Sequence, residues 1–153
     1  MQNLTEIELR ILRLLQDDSN LSRQELADRA GMSVSTLWRK VHDLDEAGVV
    51  RKSVALLDPG AVGLPVCVFV FVDLGDYQKE NQIAFETFVE RSPEIMECFA
   101  VTGSHDYILI IRTAGVAEFE SFLMEKILPH PAVASATSQI ALRQHKYTTA
   151  LPI

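Results

Sequence analysis

Residues 102–107 read Thr-Gly-Ser-His-Asp-Tyr, which puts two hydroxyls, an imidazole, a carboxylate and a phenol into one polar turn. The turn opens straight into Ile108-Leu109-Ile110-Ile111, an apolar run that reads as a core strand. Four kinds of chemistry compete for such a stretch: a metal site, a catalytic pair, a ligand pocket and an ordinary turn. A metal ion needs further ligands, but His42, His130 and His145 lie in unrelated segments, and no Cys/His cluster has zinc spacing. A catalytic His–Asp pair needs a nucleophile and an oxyanion donor. Ser104 is adjacent, yet neighbours on one turn rarely set that geometry. The ordinary turn needs only Gly103 for a positive φ and Asp106 to accept from backbone amides.

The rest of the chain adds no catalytic set. Paired carboxylates, a Cys–His arrangement, a phosphate loop and a metal cluster are all lacking, so neither enzyme activity nor a cofactor is expected. The 153 residues suffice for one domain or two small ones, with 48% hydrophobic and 23% charged residues. No apolar run is long enough to span a bilayer, and MQNLTEIELR lacks the pattern of a signal peptide. Cys67 and Cys98 sit in apolar strand-like runs, which suggests buried thiols in a reducing cytoplasm. The net charge is −7, but it is uneven. Residues 1–52 hold 8 Lys/Arg against 9 Asp/Glu, whereas residues 53–153 hold 6 against 12. Two halves with such different fields suit different partners.

The first half has helical periodicity. Leu4, Ile7, Ile11, Leu14 and Leu15 predict a helix over about Thr5–Gln16. Ser22 with Glu25 forms a capping box, stapled by Leu21 and Leu26, for a second helix that stops at Gly31. Ser33 caps a third, with Met32 and Leu37 as its staple and Gly48 as its stop. The first turn of that third helix, Val34-Ser35-Thr36, has no acid, although acids favour that place. A carboxylate there would repel phosphates. Two short helices around Gly-x-Ser, supported by a first, predict a helix-turn-helix whose last member enters the major groove of double-stranded DNA. Ser35, Thr36 and Arg39 are the expected base readers near the Ser33 cap. Lys40, Arg51 and Lys52 are the expected phosphate contacts. Trp38 either packs under the bundle or lies against the DNA backbone. A three-helix bundle without a nucleic acid partner is the plainer alternative.

Val49–Asp58 alternates enough to predict a linker strand, and Asp58-Pro59-Gly60 a turn. Further on, strands are expected over 65–74, 95–103, 106–113 and 133–143, with helices over about 80–91 and 116–128. Phe85, Phe88 and Val89 should face inward on the first of these helices. Val116, Phe119, Phe122, Leu123 and Ile127 should do so on the second. The order βαββαβ is that of the ferredoxin-like split βαβ, so the fold class is α+β. The division is then 1–52 for a helix-turn-helix domain, 53–64 for the linker strand and turn, and 65–153 for the ferredoxin-like domain. In the first of those strands Val66, Val68, Val70 and Val72 share one face; Cys67, Phe69 and Phe71 share the other. Helices cover only one face of such a sheet, and a wet face should be polar. The uncovered side chains, at about 1.5–3 kcal/mol each if buried, call for a second copy of the chain as cover.

The chain resembles the Lrp/AsnC (feast/famine) family of transcriptional regulators over nearly its whole length. LTEIELRILRLLQDDSNLSRQELADRAGMSVSTLWRKVHDLDEAGVV is similar to the family's winged helix-turn-helix. GSHDYILII resembles its G-x-x-D-Y hairpin, and KYTTALPI the tail of a proteobacterial subset that includes a cysteine-responsive activator of cysteine breakdown. Thr5 and Glu8 stand in place of the family's opening acids, Lys40 for a frequent Arg and Asp45 for a frequent Glu. The resemblance implies a cytoplasmic, DNA-binding regulator built as an octamer or other ring of dimers, with a small effector, mostly an amino acid, between effector domains. An amino-acid-binding oligomeric module without specific DNA binding is the alternative.

Matching the hairpin implies that Thr102, Gly103, Ser104, His105, Asp106 and Tyr107 line the effector site, with Thr137 and Ser138 completing it. A zwitterion there needs an acceptor for its ammonium, donors for its carboxylate and an apolar recess. Asp106 would be the acceptor and the backbone N–H groups of the glycine turn the donors. Thr102, Ser104 and Thr137 would add hydroxyls, and Tyr107 and Met96 walls. His105 is expected to face solvent rather than to sense pH.

Overall fold

The computed structural model describes residues 4–76 and 78–153. Its elements are α1 (Glu6–Asp17), α2 (Arg23–Ala30), α3 (Val34–Glu46), β1 (Val66–Leu74), α4 (Lys79–Arg91), β2 (Ile95–Ala100), β3 (Tyr107–Thr113), α5 (Val116–Phe122), a π-helical turn (Leu123–Ile127) and β4 (Val133–Ile140). They divide into two compact units. One takes the described residues up to Leu56 together with His145–Ile153, and the other is Leu57–Gln144.

In the helical unit each helix start is written in the sequence. The Thr5 hydroxyl accepts from the Glu8 N–H at 3.3 Å, and the Glu8 carboxylate accepts from the Thr5 N–H at 2.8 Å. Ser22 and Glu25 repeat the arrangement at the head of α2. Each such cap stabilises its helix by about 1 kcal/mol. Gly31 ends α2 at φ 75°, a left-handed conformation that only glycine adopts without strain. Ile11, Leu26, Ala27, Leu37 and Leu44 are buried where the three helices meet.

The expected linker strand over Val49–Asp58 does not form as a strand. Val49 and Val50 fold back to donate to the Leu44 carbonyl, and residues 51–58 join no ladder. An extended segment becomes a strand only beside another, and this chain supplies none there. The tail from His145 also packs with the helices rather than with the domain it was assigned to. The Gln16 side chain clamps Leu151 from both sides, accepting its N–H at 2.7 Å and donating to its carbonyl at 3.2 Å.

In the second unit the sheet order is β2-β3-β1-β4, all antiparallel, as a ferredoxin-like βαββαβ chain requires. Val68, Val70, Val72, Leu109 and Ile111 face the helices and are fully buried with Phe85 and Ile127. The predicted helix over 116–128 is α only to Phe122. The next turn widens, and the Leu128 N–H donates to the Leu123 carbonyl five residues back. Val116, expected inside, begins the helix and is exposed. The face of β1 away from the helices carries Cys67, Phe69, Phe71 and Asp73, beside Ile108 and Ile110 of β3 and Phe99 of β2. Phe69 is 36% exposed and Phe99 49%. The alternation rule for a wet sheet face is therefore broken on this side by residues the single chain leaves partly uncovered.

Candidate functional site

On the helical unit the α2–α3 turn positions the candidate nucleic-acid residues. The Ser33 hydroxyl accepts from the Thr36 N–H at 3.3 Å and also pairs with the Thr36 and Ser35 hydroxyls, at 2.8 and 3.2 Å. These hydroxyls thus form one cluster at the start of α3, where no acid stands. Arg39 is exposed one turn on, as are Arg51 and Lys52 beyond the helix. Lys40, expected on phosphate, instead reaches back to Glu8 of α1 at 3.4 Å, with both side chains three-quarters buried. Bonds from Thr5, more than the lysine's charge, hold the Glu8 carboxyl below its usual range. The Trp38 ring, 38% exposed, carries the Arg23 guanidinium over its face at 4.2 Å. Arg23 has no sequence signal of its own, since nothing in the spacing from Arg23 to Trp38 announces a stack.

In the sheet unit the hairpin residues separate onto two faces. Gly103 takes φ 128°, so the turn does need glycine. Thr102 and Ser104 are exposed beside it. Contrary to the solvent-facing role expected for it, the His105 ring leans over Phe71 at 5.3 Å between centroids. Its Nδ1 lies 2.9 Å from Asp73 Oδ1, and the Ser135 hydroxyl donates to Asp73 Oδ2 at 2.6 Å. The bond from Ser135, then that from His105, holds the Asp73 carboxyl below the usual range. Asp73 is thus an anion that only accepts, so His105 Nδ1 is the donor in this bond. Thr137 pairs with Phe71 across the ladder and shares this uncovered face.

Asp106 serves the fold: one of its oxygens accepts from the Leu74 N–H at 2.8 Å, where the β1–β4 register shifts. Tyr107 and Ser138, expected in the same pocket, lie on the helix-covered face. The Tyr107 phenol donates to Glu86 at 3.2 Å, and burial, then Glu86, pushes its pKa up to about 12. Ser138 stands opposite Val70, and its hydroxyl is buried with no hydrogen-bond partner. Met96 sits at a bulge in edge strand β2, 60% exposed. The period of two decides this split, because hairpin neighbours alternate faces once the strand begins. Asp73 and Ser135 were missed by sequence reasoning. The signal was there in VCVFVFVDL, where one acid interrupts a strand that is otherwise apolar.

Cys67 and Cys98 are free, half-buried thiols on opposite faces of the sheet, and burial, then Glu86, pushes the Cys98 thiol up. Among the described residues no group of His, Cys, Asp and Glu could hold a metal ion, and no helix is long and apolar enough to cross a membrane.

A three-helix head with a polar, acid-free recognition-helix start, joined to a four-stranded split-βαβ domain, defines a DNA-binding regulator with a ligand-binding domain. Residues 4–51 match the winged helix-turn-helix DNA-binding family, and residues 67–151 match the Lrp/AsnC ligand binding domain. The chain belongs to the Lrp/AsnC family of transcriptional regulators. It is 32% identical over 150 residues to the DNA-binding transcriptional activator DecR of Escherichia coli, covering 98% of this chain and 99% of that one. It is 29% identical to the transcriptional regulator AzlB of Bacillus subtilis, covering 98% and 96%. Among solved structures, a transcriptional regulator of Neisseria meningitidis in complex with L-Met is 34% identical, with a TM-score of 0.94 over 98% of this chain and 97% of that one. An AsnC family regulator from Agrobacterium tumefaciens, also 34% identical, gives a TM-score of 0.92 over 97% of both.

Proposed function

We propose that this regulator reads operator DNA with Ser33, Ser35, Thr36 and Arg39 and is tuned by an amino acid bound at the uncovered end of the β2–β3 hairpin. The observation that carries the effector site is the Asp73–His105–Ser135 cluster. It places a fixed anion and an oriented imidazole beside Thr102, Gly103, Ser104 and Thr137. Asp73, holding spare lone pairs after its two bonds, supplies the acceptor for an ammonium group, the role first given to Asp106. The backbone N–H groups of the glycine turn and the nearby hydroxyls serve the carboxylate. Tyr107 and Ser138 line the core behind this site rather than the site itself. That the N. meningitidis relative was solved with L-Met supports an amino acid as the ligand class.

The uncovered face is completed by a second copy, which gives an isologous dimer with two recognition helices, and dimers assemble further into a ring. The effector then acts through differential affinity for two arrangements of the subunits. Residues 53–64 link the DNA-reading and effector-binding parts. The tail KYTTALPI groups the chain with the proteobacterial subset, a placement supported by its similarity to DecR. The protein works in the cytoplasm, where its DNA is, and has no enzymatic activity.

A thermal-shift screen against the twenty amino acids tests the ligand class, since binding to the native state alone raises the melting point. Retardation of upstream DNA at two salt concentrations tests the regulator against the module without DNA binding. A protein that no amino acid stabilises, or one that ignores duplex DNA, refutes the corresponding half.

A further inference from the structure

Cations on the helical unit differ in how they are held. Lys40 is paired with Glu8, Arg13 with Glu6 at 3.0 Å, and Arg10 donates to the Arg29 carbonyl at 2.9 Å. Arg23 is held in another way: its guanidinium carbon lies over the Trp38 indole, 4.2 Å from the ring centre. A ring neutralises no charge and uses up no N–H, so the guanidinium keeps its full charge and its fork of donors. The stack restricts the side chain before any ligand arrives, which reduces what binding must freeze.

Arg23 is the first residue of α2, the leading helix of the helix-turn-helix, and is exposed. Trp38 is on α3, next to Arg39. The leading helix of this motif crosses the DNA backbone while its partner lies in the groove. Arg23 therefore stands on the helix that meets phosphate, held by a side chain of the helix that reads bases.

We propose that Arg23 binds a DNA phosphate and that Trp38 is its positioning residue. This rests on the reading that the helical unit binds DNA. It replaces the phosphate role first expected of Lys40, and it gives Trp38 both of the places open to it, against the protein and beside the DNA.

Full-length protein is titrated into a labelled random-sequence duplex and into its own upstream DNA, between 50 and 200 mM salt. Removing one phosphate contact lowers the slope of log affinity against log salt by about 0.9, so the affinity ratio across that range shrinks about 3.5-fold per protomer. Arg23→Ala should show this loss on both duplexes equally, because phosphate carries no sequence. Trp38→Phe, which keeps an aromatic face, should retain most of the slope. Trp38→Ala should lose it, and adding Arg23→Ala to Trp38→Ala should change little more. A parent that binds steeply with salt while Arg23→Ala keeps its slope overturns the proposal and leaves the DNA reading intact. So do fully additive effects of the two substitutions. A parent that does not bind either duplex overturns the DNA reading and this proposal with it. Arg23→Ala replaces an exposed side chain, so its melting temperature should match the parent's, which separates a binding defect from a folding one.

Discussion

On the proposed docking of a second copy against the uncovered face, adjacent residues of β1 should separate folding from association. Phe69 lies on the uncovered face at 36% exposure, while Val70 is fully buried against the helices. A phenylalanine offers roughly 200 Å², so about 70 Å² of Phe69 is left for a partner to cover. At about 25 cal/mol per Å² that is roughly 1.8 kcal/mol, and about 3.6 kcal/mol for the two copies related by a two-fold axis. Phe69→Asp should therefore raise the dimer dissociation constant by at least about 400-fold, and more once a carboxylate must be desolvated at the interface. Folding should survive, because the introduced carboxylate would point to water in the free protomer. Val70→Asp should do the reverse and prevent folding, since its charge would be buried among Val68, Val72 and Leu109 with no partner. Sedimentation velocity from 0.1 to 100 µM, read beside circular dichroism, distinguishes the two. A folded Phe69→Asp protein that self-associates as tightly as the parent refutes the uncovered face as the interface.

Asp73→Asn should abolish the thermal shift given by an active amino acid while lowering the melting temperature only slightly; an unchanged shift at saturating ligand removes Asp73 from the site. Asp106→Asn should leave ligand affinity near the parent's but destabilise the protein by about 1–3 kcal/mol, as expected when a charged acceptor of a backbone N–H is weakened, and urea denaturation measures it. Arg39→Ala should flatten the preference for upstream over random DNA by about 1–3 kcal/mol, and an unaltered preference in competition binding takes Arg39 out of the reading set. His130 packs between Phe85 and Phe88, and burial holds its pKa below the usual 6.5. The unfolded chain then binds more protons than the folded one between the folded value and 6.5. Stability is thus fully present above 6.5 and declines as the pH falls through that window. His130→Phe should remove this component, and denaturation midpoints at pH 7.5 and 5.0 for both proteins will show whether it does.

Local signals in the sequence carried most of the fold. The capping box at Ser22, the cap at Ser33, the glycine stops at Gly31 and Gly48 and the apolar periods placed the helices and strands within a few residues. What failed was what depends on distant parts of the chain. Val49–Asp58 alternates like a strand but meets no neighbour. The tail has no apolar period to announce Gln16 as its partner. The wide turn after Phe122 shifts the phase of a helix whose beginning reads as ordinary α. The hairpin was found from its residue types, but composition does not reveal which sheet face a residue occupies. Tyr107 went with the site by nearness in sequence and Ser138 by the resemblance that also gave Thr137, while Asp73 and Ser135, joined by a 2.6 Å bond, were overlooked.

The Tyr107 phenol keeps its proton until about pH 12 because α4 and Glu86 enclose it. Its ionisation in the folded protein is therefore displaced upward, and release of that helix from the sheet would bring it back towards the ordinary value of 10. In an alkaline ultraviolet titration, early appearance of this tyrosinate would be an optical signal of the effector domain coming apart, built into the chain without any added label.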